Sequence, residues 1–230
     1  MKNLSMIIDF ETTGVDPESC EIIEFAYILC DENLNVLMSA SHLIKPINRL
    51  PKEIVELTGI TDDMLKFGTY LSDYQQHFPS LLKEVKTIIA HNGINFDFQI
   101  LKRLGCDLSD KVLVDTLIHL PLKKTTTSKR LNHLCADYEI FLTNGHRALN
   151  DCQALHSLLS KFDFQEIVNR AKSKIIDTVA IVSYEKKEIV KKLGFMWQDG
   201  KWRKQVLECE IKQLENTLKQ DDISIETINK

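Results

Sequence analysis

Segments of strand-like and helix-like periodicity follow one another along the first 165 residues in an order that few folds allow. Period-two apolar segments cover residues 6–10, 21–30 and 36–44, with turn-forming residues between them. Two further short apolar segments lie at 87–90 and 112–115, and helical patterns cover 51–57, 73–84, 96–104, 129–138 and 148–161. The order βββαβαβα predicts an α/β domain in which a mixed five-stranded sheet is flanked by helices.

The pattern starts again after residue 164. Helical periodicity at 167–176, 185–193 and 204–220 surrounds a strand-like segment at 177–183 and an aromatic-rich turn at 194–202, whereas 221–230 carry no strong pattern. We therefore predict a small C-terminal α+β module after the first domain. The predicted division is a domain over 1–165, a basic and aromatic module over 170–207, and a C-terminal helix and tail over 208–230.

Composition excludes two classes of protein. With 43% hydrophobic and 27% charged residues the chain can form a packed core, which excludes a disordered protein. No apolar run approaches the ~20 residues of a membrane helix, and the N-terminus lacks the order of a secretory signal, so a cytoplasmic location is predicted. The six cysteines form no Cys-x-x-Cys pair, which predicts reduced, mostly buried thiols rather than a zinc site or disulfides.

Charge is distributed unevenly along the chain, whose formal net charge is −4. Residues 170–204 contain ten Lys and Arg against four Asp and Glu, whereas the segments on either side are acidic. A local basic segment indicates a polyanionic partner, such as nucleic acid, that contacts only this part of the protein. The alternative is a solvated helix face, and composition alone favours that alternative.

Two acidic residues end the first strand-like segment. Strand alternation points Asp9 and Glu11 to one face and sends Phe10 to the other. Two carboxylates beside a core strand repel each other unless a cation or hydrogen bonds compensate, so the pair indicates a divalent metal. An exposed strand end without a metal is the alternative, and it is favoured for this pair considered alone.

Two later segments carry further acidic residues. Asp97 lies where a strand passes through the polar turn 91–95 into a helix, and Asp151 lies in the first turn of a helix that His146 precedes. Each has a structural alternative. Asp97 can act as a helix cap, and Asp151 can be an acid that is favourably placed at the positive end of a helix.

Taken together, these segments resemble the three motifs of the DnaQ-like (DEDDh) 3′–5′ exonuclease superfamily. They read DFETTG at 9–14, HNGINFD at 91–97 and HRALND at 146–151, and His146 is the histidine that marks the DEDDh branch. Weaker similarity covers 57–61 and 114–117. The resemblance spans residues 4–162 and implies an RNase H-like fold for this part of the chain.

The resemblance also implies metal-dependent phosphodiester hydrolysis. By this resemblance two Mg²⁺ or Mn²⁺ ions would be held by the four carboxylates Asp9, Glu11, Asp97 and Asp151. His146 would be the general base. A neutral imidazole, with an ordinary pKa of about 6.5, can accept a proton near neutral pH, so activity is expected to rise with pH through that region.

Several residues are predicted to contact substrate. Thr12, Thr13 and Gly14 follow the first acids, where their backbone and hydroxyls could contact the terminal nucleotide and its 3′-hydroxyl. The resemblance implies that Phe96 stacks on or wedges against the final bases and that Asn92 binds a phosphate or sugar. The alternatives are a plain turn at 12–14 and a core role for Phe96. The polar segment after the fifth strand supplies further candidate phosphate contacts, or a solvated loop: Lys123, Lys124, Lys129 and Arg130.

The basic segment 182–204 contains both tryptophans of the chain and resembles the small C-terminal domain of exonuclease X-like proteins. Its lysines, among them Lys191 and Lys201, could contact phosphates, and its aromatic rings could stack on bases. A miniature core built from Tyr184, Phe195, Trp197 and Trp202 is the alternative. We expect the tryptophans to be mainly core and the lysines to face nucleic acid.

The sequence therefore predicts a stand-alone 3′–5′ exodeoxyribonuclease that releases nucleoside 5′-monophosphates from the 3′ ends of single-stranded or duplex DNA. One alternative is an exoribonuclease of the RNase T or oligoribonuclease kind, because the same site hydrolyses either phosphodiester. Another is a nucleic-acid-binding protein without catalysis on the same fold. Sequence alone does not indicate an oligomeric state or a pathway such as DNA repair.

Overall fold

The computed structural model describes residues 3–122, 126, 128–142 and 145–228. By its internal contacts the chain divides into two compact units, over 1–171 and 172–230. In the described part of the chain every helix is too short or too polar to cross a lipid bilayer. Five of the six cysteines are buried, as predicted, and Cys209 is exposed; all six are free thiols.

The first unit is built on one mixed sheet of six strands. The strands are β1 Leu4–Thr12, β2 Ile22–Cys30, β3 Val36–Lys45, β4 Thr69–Tyr70, β5 Val85–Ala90 and β6 Val112–Asp115. Their order in the sheet is β4-β3-β2-β1-β5-β6. The pairs β1/β2 and β2/β3 are antiparallel, whereas β1/β5, β5/β6 and β3/β4 are parallel. The five predicted strands are confirmed, and the two-residue strand β4 adds a sixth at the edge.

Nine helices of the described residues accompany this sheet. They are α1 Lys52–Thr58, α2 Asp62–Leu65, α3 Leu71–Gln75, α4 His77–Leu82, α5 Asp97–Arg103, α6 Thr116–His119, α7 Leu131–Asp137, α8 Ala148–Leu159 and α9 Phe164–Ala171. The predicted helix over 73–84 is two short helices, α3 and α4. The helical segment predicted over 167–176 begins and ends earlier, because residues from Ile175 onward pair as a strand of the second unit.

Strand β1 is central, and its alternating side chains divide the core into two layers. Met6, Ile8 and Phe10 join one buried cluster, in which Phe10 stacks on Phe25 with ring centroids 4.7 Å apart. Ile7 joins the cluster on the other face, where α8 packs. Because side chains alternate, Asp9 and Glu11 fall on the opposite face from Phe10, as the sequence predicts.

The second unit is a four-stranded antiparallel sheet with helices, which confirms the predicted α+β class. Its elements are β7 Ile175–Ile181, α10 Lys187–Lys192, β8 Met196–Gln198, β9 Lys201–Leu207, α11 Ile211–Lys219 and β10 Ser224–Ile228. The order of the strands in the sheet is β10-β7-β9-β8. Its core consists mainly of the buried residues Val190, Phe195, Val206, Leu214, Leu218 and Ile223.

Four expectations for this unit were wrong. The aromatic turn over 194–202 is a hairpin of β8 and β9, and the helix predicted from 204 begins only at Ile211, because Val206 and Leu207 pair with β7. Residues Ser224–Ile228, for which no regular structure was predicted, also pair with β7. Trp202 packs partly against the core as expected, but Trp197 is 60% exposed because its short strand lies at the edge of the sheet.

Candidate active site

Strand β1 presents two acidic side chains near its C-terminal end. Asp9 and Glu11 are partly buried, and Glu11 lies directly opposite Glu24 of β2 in the antiparallel ladder. Strand alternation therefore brings three carboxylates to one face at the end of the sheet. Such an arrangement is unfavourable without compensating charge or hydrogen bonds.

The segment 91–97 places a further carboxylate, Asp97, at the first residue of α5, where it is buried. Gly93 is required in the preceding turn, because an added Cβ would lie 2.7 Å from the Cβ of Ala90 and 2.8 Å from Cζ of Phe98. Asp115, at the end of β6, fixes the turn: its carboxylate accepts hydrogen bonds from the backbone N–H groups of Asn92 and Ile94, at 2.9 and 3.1 Å.

Helix α8 and the loop before it carry the last two predicted residues, Asp151 and His146. Asp151 lies in its first turn and accepts a 2.8 Å hydrogen bond from the backbone N–H of His146. The φ of His146 is +66°, a left-handed conformation that few residues other than glycine adopt. This conformation turns the backbone of the loop toward Asp151 and leaves the imidazole exposed.

The carboxylates form a compact cluster. Ligand-capable oxygens of Asp9, Glu11 and Asp151 lie within 4.8 Å of one another. Burial raises the pKa of Asp9 well above its usual range, and the charge of Asp97 raises it further. Burial, followed by the charge of Asp151, raises the pKa of Glu11 to about 8. Asp9 and Glu11 therefore hold their protons more tightly than they would in water. A bound cation would offset the repulsion between the neighbouring carboxylates.

Asp97 is outside that group of three, although its charge is the strongest of the neighbouring charges acting on Asp9. Burial raises the pKa of Asp97 to about 7, while hydrogen bonds from its own backbone N–H and that of Phe10 act to lower it. Burial also raises the pKa of Asp151. The pKa values of all four predicted metal ligands, Asp9, Glu11, Asp97 and Asp151, are thus raised, so a cation that binds them would displace protons.

The donor set fits a divalent cation. All candidate ligands are carboxylate oxygens, which Mg²⁺ and Mn²⁺ prefer over nitrogen or sulfur ligands. Burial, and after it the negative charges of Asp151, Glu24 and Asp97, raise the pKa of Glu11, while the charge of Arg147 lowers it. Together these two properties distinguish the cluster from an ordinary exposed acidic surface.

An open cleft of about 780 Å³ lies over the cluster. It brings together six of the residues predicted from the sequence, namely Asp9, Glu11, Asn92, Arg130, His146 and Asp151. Apolar side chains, among them Leu117, Leu131 and Leu142, line the rest of the cleft with His91 and Asn132. A cleft that is lined by carboxylates, by the guanidinium of Arg130 and by the amide of Asn92 can hold a phosphodiester chain.

Sequence reasoning missed one pair of residues that supports this site. Glu24 is 1% exposed, and its carboxylate accepts hydrogen bonds from Nε and Nη2 of Arg147, both at 3.0 Å. Burial raises the pKa of Glu24, but the hydrogen bonds of Arg147 and of two neighbours outweigh it and leave the pKa below its usual value. A lone charged residue inside the apolar strand IIEFAYILC was the signal that could have identified it.

In the first unit, several residues that were predicted to contact substrate already make contacts within the protein. The hydroxyl of Thr12 donates to the carbonyl of Gly14, and that of Thr13 accepts from the backbone N–H of Glu21, so both already serve the turn. Phe96 packs partly against the core. Nζ of Lys129 donates to the carbonyl of Leu117.

The other four predicted lysines fall outside the described part of the first unit. Lys123 and Lys124 are outside the described residues. Lys191 and Lys201 belong to the second unit and are exposed there, and Nζ of Lys191 lies 2.7 Å from a carboxylate oxygen of Glu188. Only Lys129 and Arg130 of the predicted phosphate-binding segment therefore have a described position in the first unit.

Comparison with known proteins gives relatives for the first unit. A profile of the exonuclease family named for RNase T matches residues 6–159. The PolC-type DNA polymerase III of Halalkalibacterium halodurans is 32% identical over 159 residues, which is 67% of this chain and 11% of the polymerase. The corresponding polymerase of Bacillus subtilis is 32% identical over 162 residues, again 11% of its length.

Solved structures show the same fold. A structure of exonuclease I matches with a TM-score of 0.64 at 20% identity, covering 79% of this chain and 48% of the other. The complex of Escherichia coli exonuclease I with a dT13 oligonucleotide matches with a TM-score of 0.63 at 20% identity and the same coverage. This chain thus spans about half of the structural neighbours and about a ninth of the polymerases.

Proposed function

The chain belongs to the exonuclease family, and from this premise we propose that it is a metal-dependent 3′–5′ exodeoxyribonuclease. It would release nucleoside 5′-monophosphates from the 3′ ends of DNA. The observation that carries the proposal is the convergence of Asp9, Glu11 and Asp151 at the base of an open cleft. Arrays of carboxylates of this kind hold the cations of phosphodiester hydrolases.

Asp9, Glu11 and Asp151 would hold one Mg²⁺ or Mn²⁺ ion, and Asp9 with Asp97 would hold a second. When bound, the ions activate water for attack on the phosphate and stabilise the negative charge that develops on the leaving 3′-oxygen. The backbone N–H of His146 already fixes one oxygen of Asp151, which orients the carboxylate before any cation binds. Asp97 is oriented in the same way by the backbone N–H of Phe10.

His146 would act as the general base. Its imidazole is exposed and lines the same cleft as the acidic cluster, so it can reach a water molecule beside the scissile phosphate. The bond from its own backbone N–H to Asp151 ties the position of the base to that of a metal ligand. Proton transfer and charge stabilisation would therefore be arranged around one loop.

Asn92 and Arg130 would contact the nucleic acid from the walls of the cleft. The guanidinium of Arg130 suits a phosphate, and the amide of Asn92 suits a phosphate or a sugar hydroxyl. DNA is favoured over RNA because the similar polymerases are named as DNA polymerases and one structural neighbour is named as a complex with a dT13 oligonucleotide. We also propose that Thr12, Thr13, Gly14, Phe96 and Lys129 contact the nucleic acid.

We assign catalysis to residues 1–165 and an auxiliary role in holding nucleic acid to the module over 170–207. The second unit has its own core and sheet, so it need not contribute to the acidic site in order to bind. Lys191 and Lys201 are its proposed phosphate contacts.

Product analysis tests the proposal. Wild-type protein with Mg²⁺ should convert single-stranded DNA to nucleoside 5′-monophosphates, and Asp151→Asn should abolish their release. Asp73→Asn, which changes an exposed carboxyl group in α3, is the matched control and should keep wild-type activity. Nucleoside 3′-monophosphates as products, or full activity of Asp151→Asn, would contradict the assigned site. Faster release from RNA than from DNA would instead favour the exoribonuclease.

A further inference from the structure

The second unit displays aromatic side chains that its own core does not use. Tyr184 is 76% exposed and Trp197 is 60% exposed, and neither belongs to the buried cluster around Val190 and Phe195. Large exposed rings are unfavourable in water, so a cluster of them marks a surface that binds something. Sequence periodicity does not distinguish these rings from core residues.

The rings line a cavity of about 430 Å³. Trp197 and Trp202 face each other across the β8/β9 hairpin, with ring centroids 5.2 Å apart at an angle of 62°. Val182 and Tyr184 form the other wall, beyond the end of β7. Such a cavity has flat walls and is open enough to admit one planar ring.

Two lysines border the same cavity. Nζ of Lys187 lies 3.6 Å from the ring centroid of Tyr184, and Nζ of Lys191 lies 5.8 Å from that of Trp202. Lys191 shares its charge with Glu188, at 2.7 Å, whereas Lys187 contacts an aromatic face. Cationic groups at the rim disfavour a cationic ligand and favour one that carries negative charge.

We propose that this cavity, defined by Tyr184, Lys187, Lys191, Trp197 and Trp202, binds an unpaired nucleobase of a single-stranded nucleic acid. The base stacks on Trp197, and the flanking phosphates pair with the two lysines. A nucleotide joins a flat ring to an anion in one unit, which is the combination that the cavity offers. The choice of a nucleic acid as ligand rests on the proposed function. The site itself is separate from the acidic cleft, because all of its residues belong to the second unit.

Competing occupants satisfy fewer of these features. A duplex presents its phosphates but hides the faces of its bases, so it leaves the exposed rings unused. An acidic peptide matches the lysines, but needs an aromatic residue of its own to fill the ring-lined space. Single-stranded nucleic acid uses both the rings and the charges.

Intrinsic fluorescence provides a local test, because both tryptophans of the chain lie at this cavity. The full chain is titrated with a short single-stranded oligo(dT) in EDTA, which prevents cleavage. Wild-type fluorescence should be quenched on binding. In parallel, anisotropy of a labelled oligo(dT) should show that Trp197→Ala weakens binding by about 5- to 150-fold, the range for loss of one stacked base. Phe67→Ala, which removes an exposed ring of the first unit, is the control and should leave quenching unchanged.

The lysines give a second readout. Lys187→Gln should reduce the slope of log affinity against log salt concentration by about 0.7, the value for one phosphate contact on a single strand. Quenching by an acidic peptide but not by oligo(dT) would overturn the proposal, as would binding by Trp197→Ala equal to that of the wild type. The proposed function fails separately: a protein that shows the quenching but digests no nucleic acid with Mg²⁺ loses its catalytic assignment and keeps this site.

Discussion

An Arg147→Met variant should be less stable than the wild type by about 3 kcal/mol and should lose most of its nuclease activity. Methionine keeps an apolar stem but removes the guanidinium that donates two hydrogen bonds to Glu24. Among the described residues, the buried carboxylate would keep the hydrogen bonds from the backbone N–H of Ala148, at 3.0 Å, and from the hydroxyl of Ser41, at 2.7 Å. It would also face Glu11, its partner in the β-ladder, without a compensating cation.

The magnitude follows from burial. Removal of one partner from a buried ion pair costs about 3–5 kcal/mol, because the remaining charge is left in a poorly solvated place. Glu24 is 1% exposed, but the side chain of Arg147 is 34% exposed, so water can partly replace the guanidinium and the lower end applies. Arg147 also directly follows His146, so its loss should release the loop that carries the proposed base.

Equilibrium unfolding by urea in EDTA measures the first effect, and cleavage of a labelled oligonucleotide with Mg²⁺ measures the second. Arg49→Met, at an exposed arginine, is the control and should change stability by no more than about 0.5 kcal/mol. The double variant Glu24→Gln/Arg147→Met should recover much of the lost stability, because no unpartnered charge remains. If Arg147→Met were as stable as Arg49→Met, the pair would not hold the loop and the reasoning would be refuted.

Three further predictions concern the cleft. Because the pKa of Glu11 is raised from 4.5 to about 8, the metal-free fold binds this proton more tightly than the unfolded chain and should lose stability as pH rises between those values. Glu11→Gln in EDTA should therefore gain about 3 kcal/mol at pH 7 by urea unfolding, with Glu84→Gln as an unchanged exposed control; a less stable Glu11→Gln would contradict this. His146→Ala should lower single-turnover cleavage by about 10²- to 10⁴-fold, and a loss under tenfold would remove its role as base. Arg130→Ala should weaken DNA binding in EDTA and reduce its salt dependence by one phosphate contact, and an unchanged salt slope would exclude that contact.

Local pattern predicted the sheet and the placement of the acids on it. Alternation in β1 placed Asp9 and Glu11 opposite Phe10, because side-chain direction in a strand depends only on sequence spacing. The polar turn before α5 likewise predicted Asp97 at a helix start, where the structure has it. What local pattern supplies is therefore the direction of each side chain.

Non-local contacts could not be predicted in the same way. Arg147 binds Glu24 across more than a hundred residues of sequence, and the local sequence around either residue does not indicate which residue it pairs with. In the second unit, pairing with β7 holds Val206 and Leu207 in a strand although helical spacing continues past them. The exposure of Trp197 could not be predicted from local sequence either, because it depends on which strand lies at the sheet edge.

Digestion of 5′-labelled single-stranded DNA and of RNA of the same sequence tests the central claim most directly. The account predicts that wild-type protein with Mg²⁺ or Mn²⁺ produces a ladder that shortens from the 3′ end. The ladder should form faster on DNA and be absent both with Asp9→Ala and in EDTA. If wild-type protein binds both strands with metal present and cuts neither, the acidic cluster is not a nuclease site and the fold acts as a binding platform.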